Sequence, residues 1–142
     1  MNCKNLIAPV LLAALTFPTT AQEWARFRGP GGAAISGAKT VPAIMSAADV
    51  NWSVDLAGTG HSSPVAWGGK LFLTTSSDAQ GGLTVECRRA DSGKLLWKKT
   101  FALNPFRKHR YNSFAASTPV LDAEKLYVGW SEPGRYTFVA LT

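Results

Sequence analysis

The sequence predicts an all-β fold of antiparallel four-stranded units, and three observations predict it. Short runs of apolar and β-favouring residues follow one another along the chain. The 13 glycines and 8 prolines are scattered between those runs, where turns are needed. The runs also recur. Ser63-Pro64-Val65 followed by Lys70-Leu71-Phe72-Leu73 has its counterpart in Thr118-Pro119-Val120 followed by Lys125-Leu126-Tyr127-Val128, each residue displaced by 55 positions. Leu83-Thr84-Val85 meets Phe138-Val139-Ala140 at the same displacement.

Taken in order, the first strand is expected over 63–67 and turns at Gly68-Gly69. The second, over 70–76, is rich in β-favouring residues and ends before a turn at Gly81-Gly82. The third covers 83–89. Asp91-Ser92-Gly93-Lys94 then has the chemistry of a turn, because Asp accepts a backbone hydrogen bond two residues on and Gly tolerates positive φ. The fourth strand, 95–100, carries Trp97. Four hairpin-joined strands repeating every ~40–55 residues is the pattern of a β-propeller blade. Upstream, Asn51-Trp52-Ser53-Val54 stands before a Ser-Pro step as Leu96-Trp97-Lys98-Lys99 stands before a Thr-Pro step, and reads as the remnant of another outer strand.

The blade repeats therefore cover about 63–100 and 118–142, the second with about three strands. A closed propeller needs about four to eight blades. The expectation is an incomplete propeller of about two blades over 51–142, a truncated N-terminal fragment of a larger protein. Such units do not bury their faces alone, so the isolated chain is expected to be marginal or self-associating. The alternative is a compact sandwich covered by residues 22–50.

The N-terminus reads as an export signal over 1–21. Lys4 supplies the positive region, Leu6 to Leu15 is apolar apart from Pro9, and Ala21 is the expected cleavage point. The mature chain is expected in the periplasm or outside the cell, with a lead segment at 22–50 and no transmembrane run. Cys3 precedes the apolar stretch, where no lipid anchor forms, and leaves with the signal. Cys87 then remains as a small core residue without a disulfide partner. Removing Lys4 takes the net charge from +6 to +5. The densest basic run, Arg107-Lys108-His109-Arg110, suits an acidic polymer or a solvated loop, and no nucleic-acid motif accompanies it.

Ala90-Asp91-Ser92-Gly93-Lys94-Leu95-Leu96-Trp97 resembles the tryptophan-docking motif of pyrroloquinoline-quinone-type propeller repeats, roughly Ala-x-Asp-x-x-Thr-Gly-Lys-x-x-Trp. Ser92 stands where that family has Thr, and the Ala-to-Asp spacing is shorter. Trp24-Ala25-Arg26-Phe27-Arg28-Gly29-Pro30 is similar to the Trp-Pro-x-Phe-Arg-Gly-Pro opening of exported members, with Ala25 in place of Pro. Gly60-His61-Ser62-Ser63-Pro64-Val65, and the segment from Asn112-Ser113 to Ser117-Thr118-Pro119, resemble its blade openings. The resemblance spans Trp24 to Thr142. It implies a structural role for Asp91, Gly93, Trp97 and Trp52, with each Trp lying on a neighbouring blade and the Asp-Gly turn setting its angle.

Catalytic residues are not expected. The quinone dehydrogenases of that superfamily hold their cofactor with a Trp, a calcium ion and a catalytic Asp, and many carry adjacent cysteines. This chain has no adjacent cysteines and no calcium-loop pattern, and Asp49, Asp55, Asp78, Asp91 and Asp122 are dispersed, mostly in turn contexts. No cofactor or metal is expected, save pyrroloquinoline quinone and calcium under the enzyme alternative. His61, beside Ser62 just before an inner strand, is a candidate channel contact, with a loop imidazole as the plainer reading; neither it nor His109 has metal-ligand spacing. Two functions follow as expectations. The first is a non-catalytic binding or scaffold module that takes a protein or polymer partner through its propeller loops. The alternative is the N-terminal part of a quinone-dependent dehydrogenase whose active site lies in missing blades.

Overall fold

A computed structural model describes residues 23–77, 81–104 and 106–142; the expected signal at 1–21, with Ala21, and Asp78 lie outside the described residues. The protein is all-β. One sheet contains β1 (Val65–Trp67), β2 (Lys70–Ser77), β3 (Gly82–Arg89) and β4 (Leu95–Ala102), in that spatial order. A second contains β5 (Val120–Leu121), β6 (Leu126–Glu132) and β7 (Arg135–Leu141), again in chain order. Every pairing is antiparallel, and the sheets lie like two neighbouring blades of a propeller.

Local chemistry explains the hairpins. Gly68 and Gly69 join β1 to β2 with φ of 55° and 71°, the doubly positive geometry that matches strand twist in a two-residue loop. Period-two alternation then sorts each sheet into two faces. Phe72, Cys87 and Trp97 lie side by side across the strands, as do Thr74, Val85 and Lys99, and Ser76, Leu83 and Phe101. This face meets the buried Leu126, Val128 and Trp130 of the second sheet, with the Phe101 and Trp130 rings 4.9 Å apart. Cys87 is fully buried in this core, and burial pushes its thiol pKa up.

Hydroxyls and backbone groups tie the inner ends of the sheets together. The Ser63 amide donates to Thr118 Oγ1 at 3.0 Å, the residue 55 positions on, and Ser76 and Ser113 share a 3.2 Å hydroxyl contact. Trp24 exchanges both backbone hydrogen bonds with Ala66, while Leu121 donates to the Ala25 carbonyl, so the start of the lead segment spans the two inner strands.

Two expectations need correction. The cover of a sandwich expected from 22–50 is not formed by its described part, 23–50: Ile35, Val41, Ile44 and Met45 all face solvent, Ile44 being 88% exposed. The stretch 51–54 is not a strand. Residues 51–56 belong to no strand, helix or turn, and no strand lies beside them among the described residues, whereas a β-ladder needs a second backbone.

Acid should loosen this packing at one defined point. Glu132, buried at the end of β6, accepts hydrogen bonds from Arg135 and from the Asn104 amide, and these hold its carboxyl below its usual 4.5. A depressed folded-state pKa contributes stability above the unfolded value, and that contribution is lost as pH falls through the folded value. Thermal midpoints of the parent chain should therefore drop on acidification below pH 4.5. In Glu132→Gln that drop should be shallower; an unchanged slope would count against the assignment.

Candidate functional site

The best-defined constellation is built on the β3–β4 turn. Gly93, at φ 67°, is required there: the ring of Trp52 lies against it, and a Cβ at Gly93 would sit 2.5 Å from Trp52 Cε3. The indole Nε1 donates to the Ala90 carbonyl at 3.1 Å, so both the face and the edge of the ring are used. Asp91 does not bond the backbone two residues on, as its turn context suggested. Its carboxylate accepts instead from Arg89 and from Ser92 Oγ at 2.8 Å, which holds its pKa well below the usual range, the Arg89 hydrogen bond being the larger cause.

Beneath this turn lies a buried ion pair. Arg88 Nε donates to Glu86 Oε2 at 2.8 Å, and Arg88 Nη1 donates to the Gly93 carbonyl at 2.9 Å. The two side chains are 12% and 4% exposed. Glu86 thus orients Arg88, Arg88 holds the carbonyl of Gly93, and Gly93 forms the seat of Trp52. Sequence reasoning passed over Glu86 and Arg88. The available signal was two opposite charges two residues apart on one strand, which places both on the same face.

Trp97 is placed differently. It lies beside Phe72, with centroids 6.1 Å apart, at the mouth of a cleft of about 200 Å³ that Leu121, Leu126 and Leu141 also line. The second sheet is therefore its neighbour, with the β5–β6 turn lining the same cleft, yet the residue remains 38% exposed.

The other candidates are not assembled into a catalytic site. His61 is exposed, and its amide donates to the Ala115 carbonyl at 3.1 Å. The Ser62 hydroxyl is engaged with Thr74. Asp122 caps the β5–β6 turn, accepting from the amides of Glu124 and Lys125 and from the Tyr127 hydroxyl. Asp49 accepts from the Ser46 amide and hydroxyl. Among the described residues no group of three His, Cys, Asp or Glu side chains is arranged to hold a metal ion. Arg107, Lys108, His109 and Arg110 line an open surface depression, with Lys108 4.7 Å over the Phe114 ring. No helix among the described residues is long and apolar enough to cross a membrane. No family model matches the chain, and no curated protein matches it.

Proposed function

We propose that the chain is an exported propeller-repeat protein of the quinoprotein-like kind, acting as a non-catalytic binding or scaffold module that engages a protein or polymer partner through its loops. One observation carries this reading: the residues that resemble the repeat motif are used to join structural elements. Trp52 and Gly93 hold a chain segment onto a sheet, and Asp91 braces the turn between them. The acidic residues that a quinone site would need for calcium are instead engaged in turns, as at Asp49, Asp91 and Asp122. The described residues therefore do not fit a calcium–quinone centre, and no chemical step is assigned to them.

Titrating the protein, expressed with any propeller repeats that follow Thr142 in its reading frame, with pyrroloquinoline quinone and calcium tests this, because the enzyme alternative places its site in blades outside these residues. The expected result is no saturable change in quinone absorbance and no dye reduction with alcohol or sugar. Saturable binding accompanied by dye reduction would replace the scaffold reading with that of a quinone-dependent dehydrogenase.

A further inference from the structure

The net charge of the chain is unevenly placed. Residues 92–121 carry six of the 15 Lys and Arg side chains and none of the 9 Asp and Glu side chains. The remaining residues balance, so the whole net charge of +6 belongs to this one stretch. It holds β4 and the connection from β4 to β5, and its densest part, Arg107 to Arg110, lines the open surface depression. A concentrated field of one sign draws counter-ions to the place where it is strongest.

Neighbouring rings give these cations a base. Lys108 lies over Phe114, which meets Phe106 edge-on with centroids 5.2 Å apart. The Arg110 guanidinium stands 4.4 Å over the centroid of Tyr111, and His109 flanks the same ring at 5.3 Å. Arg107 and Arg110 are exposed, and among the described residues neither is paired with a carboxylate. A guanidinium meets a carboxylate through two parallel N–H bonds, and its flat face suits a ring. Tyr111 is 68% exposed. Exposed Asn112 commits its side-chain oxygen to the Ser113 amide at 2.9 Å, which leaves its N–H donors for a ligand.

The loop is also held in place. The Asn112 amide closes a turn on the His109 carbonyl at 2.9 Å. Ser113 is buried and shares its hydroxyl contact with Ser76, and the carbonyl of buried Ala115 accepts the amides of both His61 and Ser62. The side chains at 107–112 are therefore displayed from a fixed base, which lowers the ordering cost of binding.

We propose that Arg107, Arg110, Tyr111 and Asn112 form a binding site for a linear acidic polysaccharide. The arginines take the sugar carboxylates, the Tyr111 ring lies along the C–H face of a sugar ring, and Asn112 donates to a hydroxyl. The composition of the site favours this polyanion, because one without sugar rings would use the charges and leave Tyr111 and Asn112 idle. Base-edge readout of duplex DNA places a helix or a β-ribbon in the major groove, whereas this site is an irregular loop. A membrane surface takes a basic helix with a broad apolar face, whereas Phe106 and Phe114 are half-buried against each other. The inference rests on the reading of the chain as an exported binding module and names the partner of one loop.

Biolayer interferometry on immobilised polygalacturonate tests it, with the protein expressed as for the quinone titration. The parent should bind saturably, and less tightly as salt rises. Arg107→Ala/Arg110→Ala should weaken binding at least about tenfold, as expected for lost charge-assisted hydrogen bonds, and flatten the salt dependence. Tyr111→Ala should weaken it about three- to tenfold and leave the salt dependence unchanged. Lys39→Ala/Lys70→Ala removes the same charge elsewhere and should stay within about twofold of the parent. All five positions are exposed, so the fold should tolerate the changes, and far-ultraviolet circular dichroism checks this. Equal losses in the two double variants would mean a general charge effect and overturn the site, as would Tyr111→Ala binding like the parent. Poly-glutamate, duplex DNA or phosphatidylglycerol vesicles held as tightly as polygalacturonate would overturn the assignment to a polysaccharide. A parent that binds no polygalacturonate overturns the proposal and leaves the scaffold reading standing, since that reading allows other loops and partners. A positive quinone titration removes the scaffold reading and leaves this site untouched.

Discussion

Arg88→Met should cost about 3–5 kcal/mol of stability, as is usual when one partner of a buried ion pair is removed. Methionine reproduces the unbranched stem of Arg88 as far as Nε but lacks the guanidinium and every donor. Glu86 would be left as a buried carboxylate without its cation, and the Gly93 carbonyl would lose its 2.9 Å donor. For a domain whose total stability is ordinarily about 5–15 kcal/mol, such a loss is a large share of the whole. Urea unfolding followed by circular dichroism measures it. The double variant Glu86→Leu/Arg88→Met separates the charge from the packing, because removing both partners together is often close to neutral. It should recover most of the stability lost in the single variant. A single variant within about 0.5 kcal/mol of the parent, the range of ordinary surface changes, would show that the pair does not brace the turn.

Gly93→Val comes second and acts by geometry. At φ 67° a branched side chain is strained by about 1–2 kcal/mol. Its Cβ would also stand 2.5 Å from the Trp52 ring and displace it. Losing a large packed aromatic costs roughly 3–5 kcal/mol when its burial is complete, and less here because Trp52 is only partly buried. A total of about 3–4 kcal/mol is expected, with a red shift of tryptophan emission as the indole enters water. A double-mutant cycle isolates the contact. In a Trp52→Ala background the same substitution should cost only the backbone strain of ~1–2 kcal/mol. Equal costs in the two backgrounds would mean that Trp52 and Gly93 are not energetically coupled.

Much of the fold was legible before any coordinates, and particular residues show why. The Gly68-Gly69 step and the turn at Asp91 to Lys94 declare themselves through backbone chemistry that acts over two or three residues. The strands at 70–77, 82–89 and 95–102 match the expected runs to within a residue or two, because alternation is a local signal. Residues 51–54 read as a strand remnant for the same reason, yet they pair with no strand among the described residues. Their composition suits a strand, but being one depends on a partner backbone, and residue pattern does not report whether a partner lies alongside.

The candidate site was legible only as residue types. Trp52, Asp91, Gly93 and Trp97 could be singled out by likeness to a motif, yet their partners could not. Trp52 meets a carbonyl 38 positions away, and Glu86 and Arg88 matter because one of their hydrogen bonds ends on the turn that Trp52 covers.

By itself the sequence determined the strand class, the turn positions and the 55-residue spacing of the two units, all of which arise from interactions between near neighbours. Only the tertiary structure decided that Trp52 is seated while Trp97 stays at an open cleft, and that Tyr136 and Phe138 of β7 are exposed. Those outcomes depend on how one twisted sheet is placed against another, and that placement sums many weak long-range contacts that no short stretch of residues encodes.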